Sequence, residues 1–475
     1  MSYEDFVAGK LTRALPTGLG DIPELHDSLF GFQRDIVRWA LKRGRAAVFA
    51  DTGLGKTAMQ LEWARHIPGD VLILTPLAVA TQTAREGQRI GVDVTVCKSG
   101  DDVRPGVNVI NYERIHLIDP SRFTGVVLDE SSIIKHYASK TLGQLMAAFS
   151  QTPFKLCATA TPSPNDYTEL GTHAEFLGIC TRQEMLAEFF CHDGGETQGW
   201  RLKGHAKATF WRWVASWAAL IRKPSDLGYD DGGYALPPLV VTNHTIPADA
   251  ATVAASGLLF AEEASTLTER RDARRGSLNA RVLAAVSAMT MCTCEEKSAP
   301  CTCDASERWI VWCDLNVEQD MLESLLGEEC ISIYGSLDSD EKERRMESFL
   351  AGGARILIGK PSIFGFGLNL QMLARMAFVG VTDSWEAYYQ AVRREWRFGQ
   401  LRDVHVHIFS SELEGAVIAN LRRKEADALS MAEELSAETR DAVRAEVGGQ
   451  TRTTNTYDPQ LRMVVPAWIC QEVTS

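Results

Sequence analysis

Residues 50–57, ADTGLGKT, are the first group whose types and spacing suit them to chemistry. They follow a continuously apolar run and precede a helical pattern, which is the context of a phosphate-binding loop. The glycines let backbone N–H groups converge on phosphate oxygens, and the start of the helix adds its positive dipole end. Lys56 would reach the β- and γ-phosphates, and Thr57 would hold Mg²⁺. The predicted nucleotide-binding residues of this loop are Thr52, Gly53, Gly55, Lys56 and Thr57.

A second candidate group is the pair Asp129 and Glu130, at the end of the apolar run in GVVLDESS (125–132). In a site that hydrolyses a triphosphate, Asp129 would position Mg²⁺, and Glu130 would orient or deprotonate the attacking water. Acids at the carboxyl ends of strands are common, so the pair alone is moderate evidence. Its place downstream of a phosphate loop in the same predicted lobe favours the hydrolytic interpretation.

A third group is QAVRREWRFGQ, residues 390–400, which places three arginines in an otherwise acidic chain. Three interpretations compete: a solvated helix face, a nucleic-acid patch and a charge clamp for a phosphate group. If the segment is a helix, Gln390, Arg394 and Arg397 share one stripe. Arg393 lies off that stripe, and we expect it to contact solvent or a neighbouring side chain.

The elements that must position these groups are short apolar runs that alternate with helical patterns. Such runs are typical of strands buried on both faces of a parallel sheet. The runs lie at 46–50, 71–76, 94–98, 107–112, 125–130 and 155–161, and again at 308–313, 330–335, 354–360, 376–381 and 403–409. The sequence therefore predicts an α/β fold with two lobes, each built on a parallel sheet.

The predicted organisation has five parts. They are an N-terminal segment (1–24), a first lobe (25–170), a helical insertion region with the inter-lobe connection (171–304), a second lobe (305–435) and a C-terminal tail (436–475). The insertion contains the aromatic stretch FWRWVASWAALIRK, which has a helical pattern. We expect its tryptophans to fill a core; stacking on nucleic-acid bases is the alternative.

Composition restricts the class of protein. The formal net charge of -13 over 475 residues argues against a protein that coats nucleic acid by bulk charge, although a local basic groove remains compatible with it. The N-terminal residues lack the apolar region of a secretory signal, and no apolar window reaches the length of a membrane span of about 20 residues. We therefore expect a cytoplasmic protein whose eleven cysteines are reduced.

The three groups and their neighbours resemble a known family. LFGFQRDIVRW, ADTGLGKT, LDESSIIKH, TATPSPND, FGFGLNLQ and QAVRREWRFGQ stand in the order of the superfamily 2 helicase motifs. The form Q-A-x-x-R-x-x-R-x-G-Q is similar to that of the Swi/Snf-like translocases, a DEAD/DEAH-type group. The chain resembles a minimal ATPase of this group, of bacterial or phage type.

The resemblance implies two RecA-like lobes that bind ATP and Mg²⁺ between them. Gln33 would read the adenine base, and Gln390 would line the site. Arg394 and Arg397 would reach from the second lobe to the γ-phosphate, which makes the clamp the favoured interpretation of the arginines. The implied catalytic residues are Lys56, Asp129, Glu130, Arg394 and Arg397; Thr57 and Asp129 are the implied Mg²⁺ ligands.

The resemblance also implies a nucleic-acid partner lying across both lobes. The residues expected to contact it are Thr75 and Asn111 in the first lobe, and Gly365, Gly367 and Asn369 in the second. The expected function is that of an ATP-dependent DNA translocase that acts as a monomer on duplex DNA in the bacterial cytoplasm. An RNA helicase and an ATP switch without hydrolysis are the alternatives. The sequence shows no β-hairpin that would act as a wedge, so we expect poor strand separation.

The chain departs from the family pattern at three positions. Ala50 replaces the first glycine of the phosphate loop, Ser132 stands where the family often has histidine, and Phe366 replaces part of a glycine pair. The change at Ser132 raises the question of how the acidic box contacts the neighbouring TATP segment. The metal and water roles expected of the two acids do not depend on it.

A cysteine cluster, CTCEEKSAPCTC, precedes the second lobe. Four thiolates can form a tetrahedral zinc site, and the candidate ligands are Cys292, Cys294, Cys301 and Cys303. Two C-x-C pairs separated by six residues would make a tight loop, so the favoured interpretation is a connecting loop that carries thiols without zinc.

Overall fold

The computed structural model shows two α/β lobes that meet along a cleft. It describes residues 16–76, 79–135, 139–163, 166–192, 200–232, 234, 236–247, 274–290, 307–364, 370–380 and 384–447. Within these ranges no helix has both the length and the apolarity needed to cross a membrane.

Lobe 1 contains the phosphate loop and the two acids. Its strands are β1 (Arg45–Ala50), β2 (Val71–Thr75), β3 (Val94–Val96), β4 (Val107–Asn111), β5 (Gly125–Asp129), β6 (Phe154–Thr159), β7 (Phe190–His192), β8 (Trp200–Leu202) and β9 (Ala218–Ile221). Its helices are α1 (Gly31–Arg43), α2 (Lys56–His66), α3 (Ala80–Arg89), α4 (Lys140–Ala148), α5 (Leu170–Leu177), α6 (Arg182–Phe189) and α7 (Lys207–Ala215). Seven of the strands form a parallel sheet in the order β3-β4-β2-β5-β6-β1-β9.

Lobe 2 carries the arginine segment. Its strands are β10 (Leu239–Ile246), β11 (Trp309–Trp312), β12 (Cys330–Ile333), β13 (Ile356–Gly359), β14 (Arg375–Phe378) and β15 (Val404–Ser411). Its helices are α8 (Leu278–Thr290), α9 (Asn316–Leu326), α10 (Ser339–Leu350), α11 (Pro361–Phe364), α12 (Trp385–Val392) and α13 (Gly415–Val447). The six strands form a parallel sheet in the order β10-β15-β14-β11-β13-β12.

The predicted fold class is confirmed: two lobes, each with a parallel sheet, and a strand at every apolar run that the sequence analysis named. The runs form strands because their apolar side chains cover both sheet faces; all five residues of β2, for example, are buried. β1 and β5 are parallel and are separated by β6 alone, so the loops that follow them lie at the same edge of the lobe 1 sheet, and both line the cleft.

Four strands lie inside the region predicted to be a helical insertion, and two of them, β9 and β10, join the main sheets. α7 ends at Ala215, and β9 pairs in parallel with β1. β10 pairs in parallel with β15 along eight residues. A four-residue apolar run after a helix is too short to show the hydrophobic periodicity of either a helix or a strand. The sequence pattern alone therefore cannot distinguish β9 from a continuation of α7. The lobes are therefore wider than predicted: lobe 1 extends to Ile221, and lobe 2 begins at Leu239.

A small antiparallel sheet also lies in this region, where the sequence analysis named no strand. β7 and β8 pair antiparallel within the same insertion, and the His192 ring packs against the Trp200 ring with centroids 4.7 Å apart. Three-residue strands bury too little to leave a clear alternation in the sequence. The insertion therefore combines helices with a small two-stranded sheet.

The aromatic stretch fills the core of lobe 1, as expected. The rings of Phe210, Trp211, Trp213 and Trp217 are all buried and pack edge to face or tilted against one another. Such geometry places the positive ring edge against a negative face. These rings therefore stabilise lobe 1 and are not exposed to stack on bases.

The C-terminal helix α13 connects the two lobes a second time. It leaves β15 in lobe 2, and its last turns pack on lobe 1, where Val443 and Val447 join the core. Arg444 donates hydrogen bonds to the backbone carbonyls of Ser225 and Asp226 at 2.6 and 2.7 Å. Residues 436–447, the first part of the predicted tail, therefore form the end of a helix that packs on lobe 1.

Candidate active site between the two lobes

The phosphate loop connects β1 to α2 with the sharp turns that its glycines permit. Gly53 and Gly55 have φ of 94° and 79°, a left-handed conformation that glycine adopts at little cost. A Cβ at position 53 would also lie 2.9 Å from the backbone nitrogen of Phe398 in lobe 2. The Lys56 ammonium donates to two backbone carbonyls of the loop, at 2.8 and 3.3 Å. The absence of side chains at these glycines therefore shapes both the loop and its contact with lobe 2.

Asp129 ends β5 and faces the phosphate loop. Its Oδ1 accepts a hydrogen bond from Gln60 Nε2 of α2 at 2.8 Å. Burial raises the pKa of Asp129 to about 6 against the opposing effect of this hydrogen bond, and the charge of Glu130 adds to the increase. A buried carboxylate that is costly to ionise alone is well suited to a bound cation, which would remove that cost.

Glu130 is held in a strained conformation by its neighbours. Among the described residues it is the one non-glycine residue with positive φ, at 57°. Its Oε1 accepts hydrogen bonds from Thr159 Oγ1 at 2.5 Å and from Ser132 Oγ at 3.0 Å. Thr159 Oγ1 in turn accepts from the Thr161 N–H at 3.1 Å. Ser132 and the TATP segment thus hold the Glu130 carboxylate together.

The arginine segment is not one helix. α12 ends at Val392, and residues 393–399 form turns and bends, so the helix on which the shared stripe was conditional does not extend past Val392. The predicted grouping is nevertheless present, because Arg394 donates to Gln390 O at 3.0 Å and to Gln390 Oε1 at 2.9 Å. Turns, rather than a helical stripe, direct Arg394 and Arg397 toward lobe 1.

A cleft of about 370 Å³ brings the residues of both lobes together. The predicted site residues that line it are Thr52, Gly53, Gly55, Lys56, Thr57, Asp129, Glu130, Gln390, Arg394 and Arg397. Burial lowers the pKa of Lys56, while the charges of Glu130 and Asp129 raise it. The cleft therefore places cations from both lobes around two acids.

The residues at the cleft fit a triphosphate with Mg²⁺. The Thr57 hydroxyl and the Asp129 carboxylate are oxygen donors of the kind that Mg²⁺ prefers. Gln390 Nε2 is buried, lines the cleft and has no hydrogen-bond partner. Such a donor is costly to leave unpaired, and a phosphate oxygen would satisfy it.

Gln33 lies behind the phosphate loop, outside the residues that line the cleft. Its Nε2 donates to Leu54 O at 2.9 Å, and its Oε1 accepts from the Phe30 N–H at 2.9 Å. A Cβ at Gly55 would lie 2.3 Å from this Nε2. In this arrangement Gln33 supports the loop, and its role in reading adenine stays a prediction.

A second groove, of about 290 Å³, lies between α3, β3 and β4 of lobe 1 and α10 of lobe 2. Asn111 lines it, whereas Thr75 is fully buried and donates a long hydrogen bond to Asn111 at 3.4 Å. Thr75 therefore positions Asn111 and does not reach the groove. Arg114 and Lys342 add positive charge from the two lobes.

Several predicted residues lie outside the described part of the chain. They are Gly365, Gly367 and Asn369 of the second lobe and the cysteines Cys292, Cys294, Cys301 and Cys303. Within the described ranges no three His, Cys, Asp or Glu side chains are grouped to hold a metal ion.

The structure adds residues that sequence reasoning missed. Of the two alternatives expected for Arg393, the structure shows contact with a neighbouring side chain: Arg393 is buried and donates to Asp51 of the phosphate loop, in the other lobe, at 3.1 Å. Tyr389 donates to the same carboxylate at 2.7 Å. No spacing in the sequence signals this contact, because its partners are more than 300 residues apart and on different lobes.

Comparisons with known proteins agree with this architecture. Residues 297–399 match the helicase conserved C-terminal domain family. The fold is similar to that of S. cerevisiae Dbp5 bound to RNA and ADP BeF3, at 12% identity and a TM-score of 0.52, covering 87% of this chain and 93% of Dbp5. Residues 297–399, most of which belong to lobe 2, are thus similar to the helicase conserved C-terminal domain family, and the likeness to Dbp5 supports the two-lobed fold.

A larger enzyme is also similar to the chain. The ATP-dependent Type ISP restriction-modification enzyme LlaBIII bound to DNA shares 15% identity at a TM-score of 0.48. The match covers 90% of this chain and 33% of that enzyme, so the chain spans about a third of its length. Curated protein sequences give no match to the chain.

Proposed function

We propose that this chain is an ATP-dependent DNA translocase that hydrolyses ATP between its lobes. The observation that carries the proposal is the cleft in which Lys56 and Glu130 of lobe 1 face Arg394 and Arg397 of lobe 2. Neither lobe alone holds both the phosphate loop and the arginines. Hydrolysis would therefore depend on how the lobes are arranged.

In the proposed reaction the loop amides and Lys56 bind the phosphates, and Thr57 and Asp129 hold Mg²⁺. The metal, when bound, neutralises charge on the β- and γ-phosphates. Glu130 orients a water molecule and accepts its proton. Thr159 and Ser132 hold Oε1 of this carboxylate, so Oε2 is the atom we assign to the water.

The two arginines act late in this reaction. Charge spreads over the oxygens of the transferred phosphoryl group, and a planar guanidinium neutralises it. Because the arginines come from lobe 2, they support hydrolysis only when the lobes are close together. Release of the products would then weaken the contact between the lobes.

Translocation would follow from this cycle through the second groove. Its walls belong to different lobes, and the ion pairs Arg85–Glu347 (2.8 Å) and Lys98–Asp340 (3.2 Å) join them. A change in the distance between the lobes would shift the groove contacts along a phosphate backbone. Contacts of this kind carry no sequence information, so movement should not depend on DNA sequence.

The preference for DNA rests on the Q-A-x-x-R-x-x-R-x-G-Q form of the arginine segment. An ATPase assay with duplex DNA, single-stranded DNA and RNA tests it. We expect Mg²⁺-dependent hydrolysis that duplex DNA stimulates most. Stimulation by RNA alone would favour the RNA helicase, and no hydrolysis with any nucleic acid would favour the ATP switch.

We also propose that the protein moves along duplex DNA without separating the strands efficiently. The β7–β8 hairpin is the described element that bears on this question, since a rigid hairpin at a fork is one way to divide strands. Matched assays would compare displacement of a triplex-forming third strand with unwinding of a tailed duplex. Efficient unwinding without triplex displacement would contradict the proposal and direct attention to this hairpin.

A further inference from the structure

The third arginine of the segment, Arg393, is not used in the proposed hydrolysis and bonds to the opposite lobe. Its Nη2 donates to Asp51 Oδ2 at 3.1 Å, and the Tyr389 hydroxyl donates to Asp51 Oδ1 at 2.7 Å. The Thr52 N–H also donates to Oδ1, at 2.6 Å. Two groups of lobe 2 therefore hold both carboxylate oxygens of a phosphate-loop residue.

Lobe 2 holds Arg393 in place from two sides. Its guanidinium carbon lies 5.1 Å from the centre of the Tyr389 ring and 4.6 Å from that of the Trp396 ring. The Trp396 Nε1 donates to Pro237 O at 2.8 Å, which fixes the second ring. A stacked guanidinium loses little freedom when it meets a carboxylate, so the pairing with Asp51 is geometrically restricted.

Low exposure distinguishes this contact from the two ion pairs that cross the second groove. It shares low exposure with Lys135–Glu386, a further pair between the lobes whose side chains are each 15% exposed. The side chains of Arg393 and Asp51 are 9% and 19% exposed, whereas those of Lys98 and Asp340 are 65% and 77% exposed. Exposed pairs contribute little. Burial would raise the pKa of Asp51, but the Arg393 charge and the Tyr389 hydroxyl together hold that pKa below its ordinary value.

The contact between Arg393 and Asp51 lies next to Arg394, a residue that lines the cleft. Arg393 and Arg394 are consecutive, so their Cα atoms are about 3.8 Å apart. Arg393 bonds to Asp51, while Arg394 bonds to Gln390 at the cleft wall. An anchor at Arg393 therefore limits where Arg394 can stand relative to the phosphate loop.

We propose that Asp51 is a positioning residue that docks the arginine segment on the phosphate loop. It acts through Arg393 and Tyr389, and the docked segment places Arg394 and Arg397 at the γ-phosphate. This inference rests on the proposed ATP hydrolysis. It predicts that loss of the contact lowers kcat while binding of ATP to lobe 1 persists.

The kinetic test compares Arg393→Gln, Asp51→Asn and their double variant. We expect kcat to fall on the order of tenfold to a hundredfold, since small misplacements of a reacting group have such effects, with KM for ATP within about threefold of wild type. The double variant should be no slower than the slower single variant, because both remove one contact. Tyr389→Phe, which removes one hydroxyl, should have a smaller effect in the same direction.

Arg402→Gln is the matched control. Arg402 pairs with Glu307 inside lobe 2 and is half exposed, so its loss should leave kcat unchanged. Arg393→Lys keeps the charge and should recover part of the kcat that Arg393→Gln loses. Additive losses in the double variant, or wild-type kcat in Arg393→Gln, would overturn the proposal.

Hydrogen–deuterium exchange gives a readout that does not need hydrolysis. In Arg393→Gln, exchange should increase in residues 51–57 of lobe 1 as well as in residues 389–400. An increase limited to residues 389–400 would show a local defect and overturn the docking role. If wild type hydrolyses no ATP, the proposed function fails, whereas coupled exchange in these two segments would still support the docking contact.

Discussion

The two lobes hold their candidate catalytic groups in different ways. In lobe 1, Asp129 and Glu130 stand at the end of a buried strand and accept hydrogen bonds from side chains of the same lobe. In lobe 2, Arg394 lies in turns after a short helix and bonds to Gln390. Lobe 1 thus holds its acids through its own side chains, whereas the arginine segment of lobe 2 also bonds to lobe 1, through Arg393 and Tyr389 to Asp51.

The difference extends to strain. Glu130 keeps a left-handed backbone, which costs on the order of 1–3 kcal/mol for such residues and persists only where the surroundings impose it. Thr159 and Ser132 are those surroundings. In lobe 1, hydrogen bonds within the lobe fix the position of Glu130. In lobe 2, the position of the arginine segment depends on its contact with Asp51 of lobe 1.

The largest expected effect tests the lobe 2 half. Arg394→Ala and Arg397→Ala should each lower kcat by about 10³-fold or more, as for arginines that neutralise a transferred phosphoryl group. DNA affinity should stay within about threefold, with an unchanged salt dependence. ATPase rates at saturating DNA and DNA titrations at two salt concentrations would measure both.

Arg344→Ala, at an exposed position of α10, is the control for that pair. The clamp interpretation would be contradicted if Arg394→Ala and Arg397→Ala bound DNA about tenfold more weakly but hydrolysed ATP normally at saturating DNA. The arginines would then form a nucleic-acid patch, and the contrast between the lobes would disappear.

Next in size is the lobe 1 half. Glu130→Gln should retain ATP binding but lower kcat on the order of 10²- to 10³-fold, because an amide cannot accept the proton of the water. A fluorescent ATP analogue would report binding, and phosphate release would report hydrolysis. Glu113→Gln changes an exposed glutamate of the same lobe and should behave as wild type. Wild-type turnover in Glu130→Gln would refute its assignment.

A smaller effect is expected from the side chains that hold Glu130. Thr159→Val and Ser132→Ala should lower kcat by about tenfold or less, with the larger loss at Thr159, whose hydrogen bond is shorter. KM for ATP should not change, since neither group lines the cleft. Ser150→Ala, at an exposed site, is the control. If Ser132→Ala has no effect, lobe 1 holds its acid through Thr159 alone.

The remaining prediction concerns the pH dependence of lobe 1 stability, and it should leave hydrolysis at neutral pH unchanged. His173 is fully buried beside Ser131, and burial lowers the pKa of His173 to about 4. Because the folded-state pKa is below the unfolded value of about 6.5, stability is complete above pH 6.5 and falls as pH decreases toward 4. The loss should be about 2 kcal/mol at pH 5.

Urea unfolding at pH 7.5 and pH 5, followed by tryptophan fluorescence, would measure this loss. His173→Gln retains hydrogen-bonding groups without titrating in this range and should show a weaker pH dependence. An equal dependence in both proteins would mean that other groups set the acid sensitivity of lobe 1.

Local patterns were sufficient to predict most of the sheet structure and to indicate that the phosphate loop and the two acids lie in one lobe. The phosphate loop and the two acids each follow an apolar run, and runs of this kind form strands in both lobes. The predictions failed where a short apolar run is compatible with both a helix and a strand. The run Ala218–Ile221 follows a helix directly, and its strand identity comes from pairing with β1.

Gln390, Arg394 and Arg397 line the cleft together, but their local structure did not follow from the sequence. The spacing of Gln390, Arg394 and Arg397 suggested a helix, and the chain instead turns after Val392. Arg393 was given no role because its partner, Asp51, is distant in sequence. Contacts between lobes leave no periodic signal in either segment, so only the folded arrangement reveals them.

The helix α13 has a mechanical consequence for the cleft. Its 33 residues span about 50 Å, with one end continuous with β15 of lobe 2 and the other seated in the core of lobe 1 through Val443 and Val447. The lobes and their two connections form a closed linkage. In such a linkage the lobes can rotate about α13. They can move directly apart only if the last turns of α13 separate from the core of lobe 1. The cleft would therefore open by rotation of one lobe relative to the other about α13, without a change in the contacts of its C-terminal end.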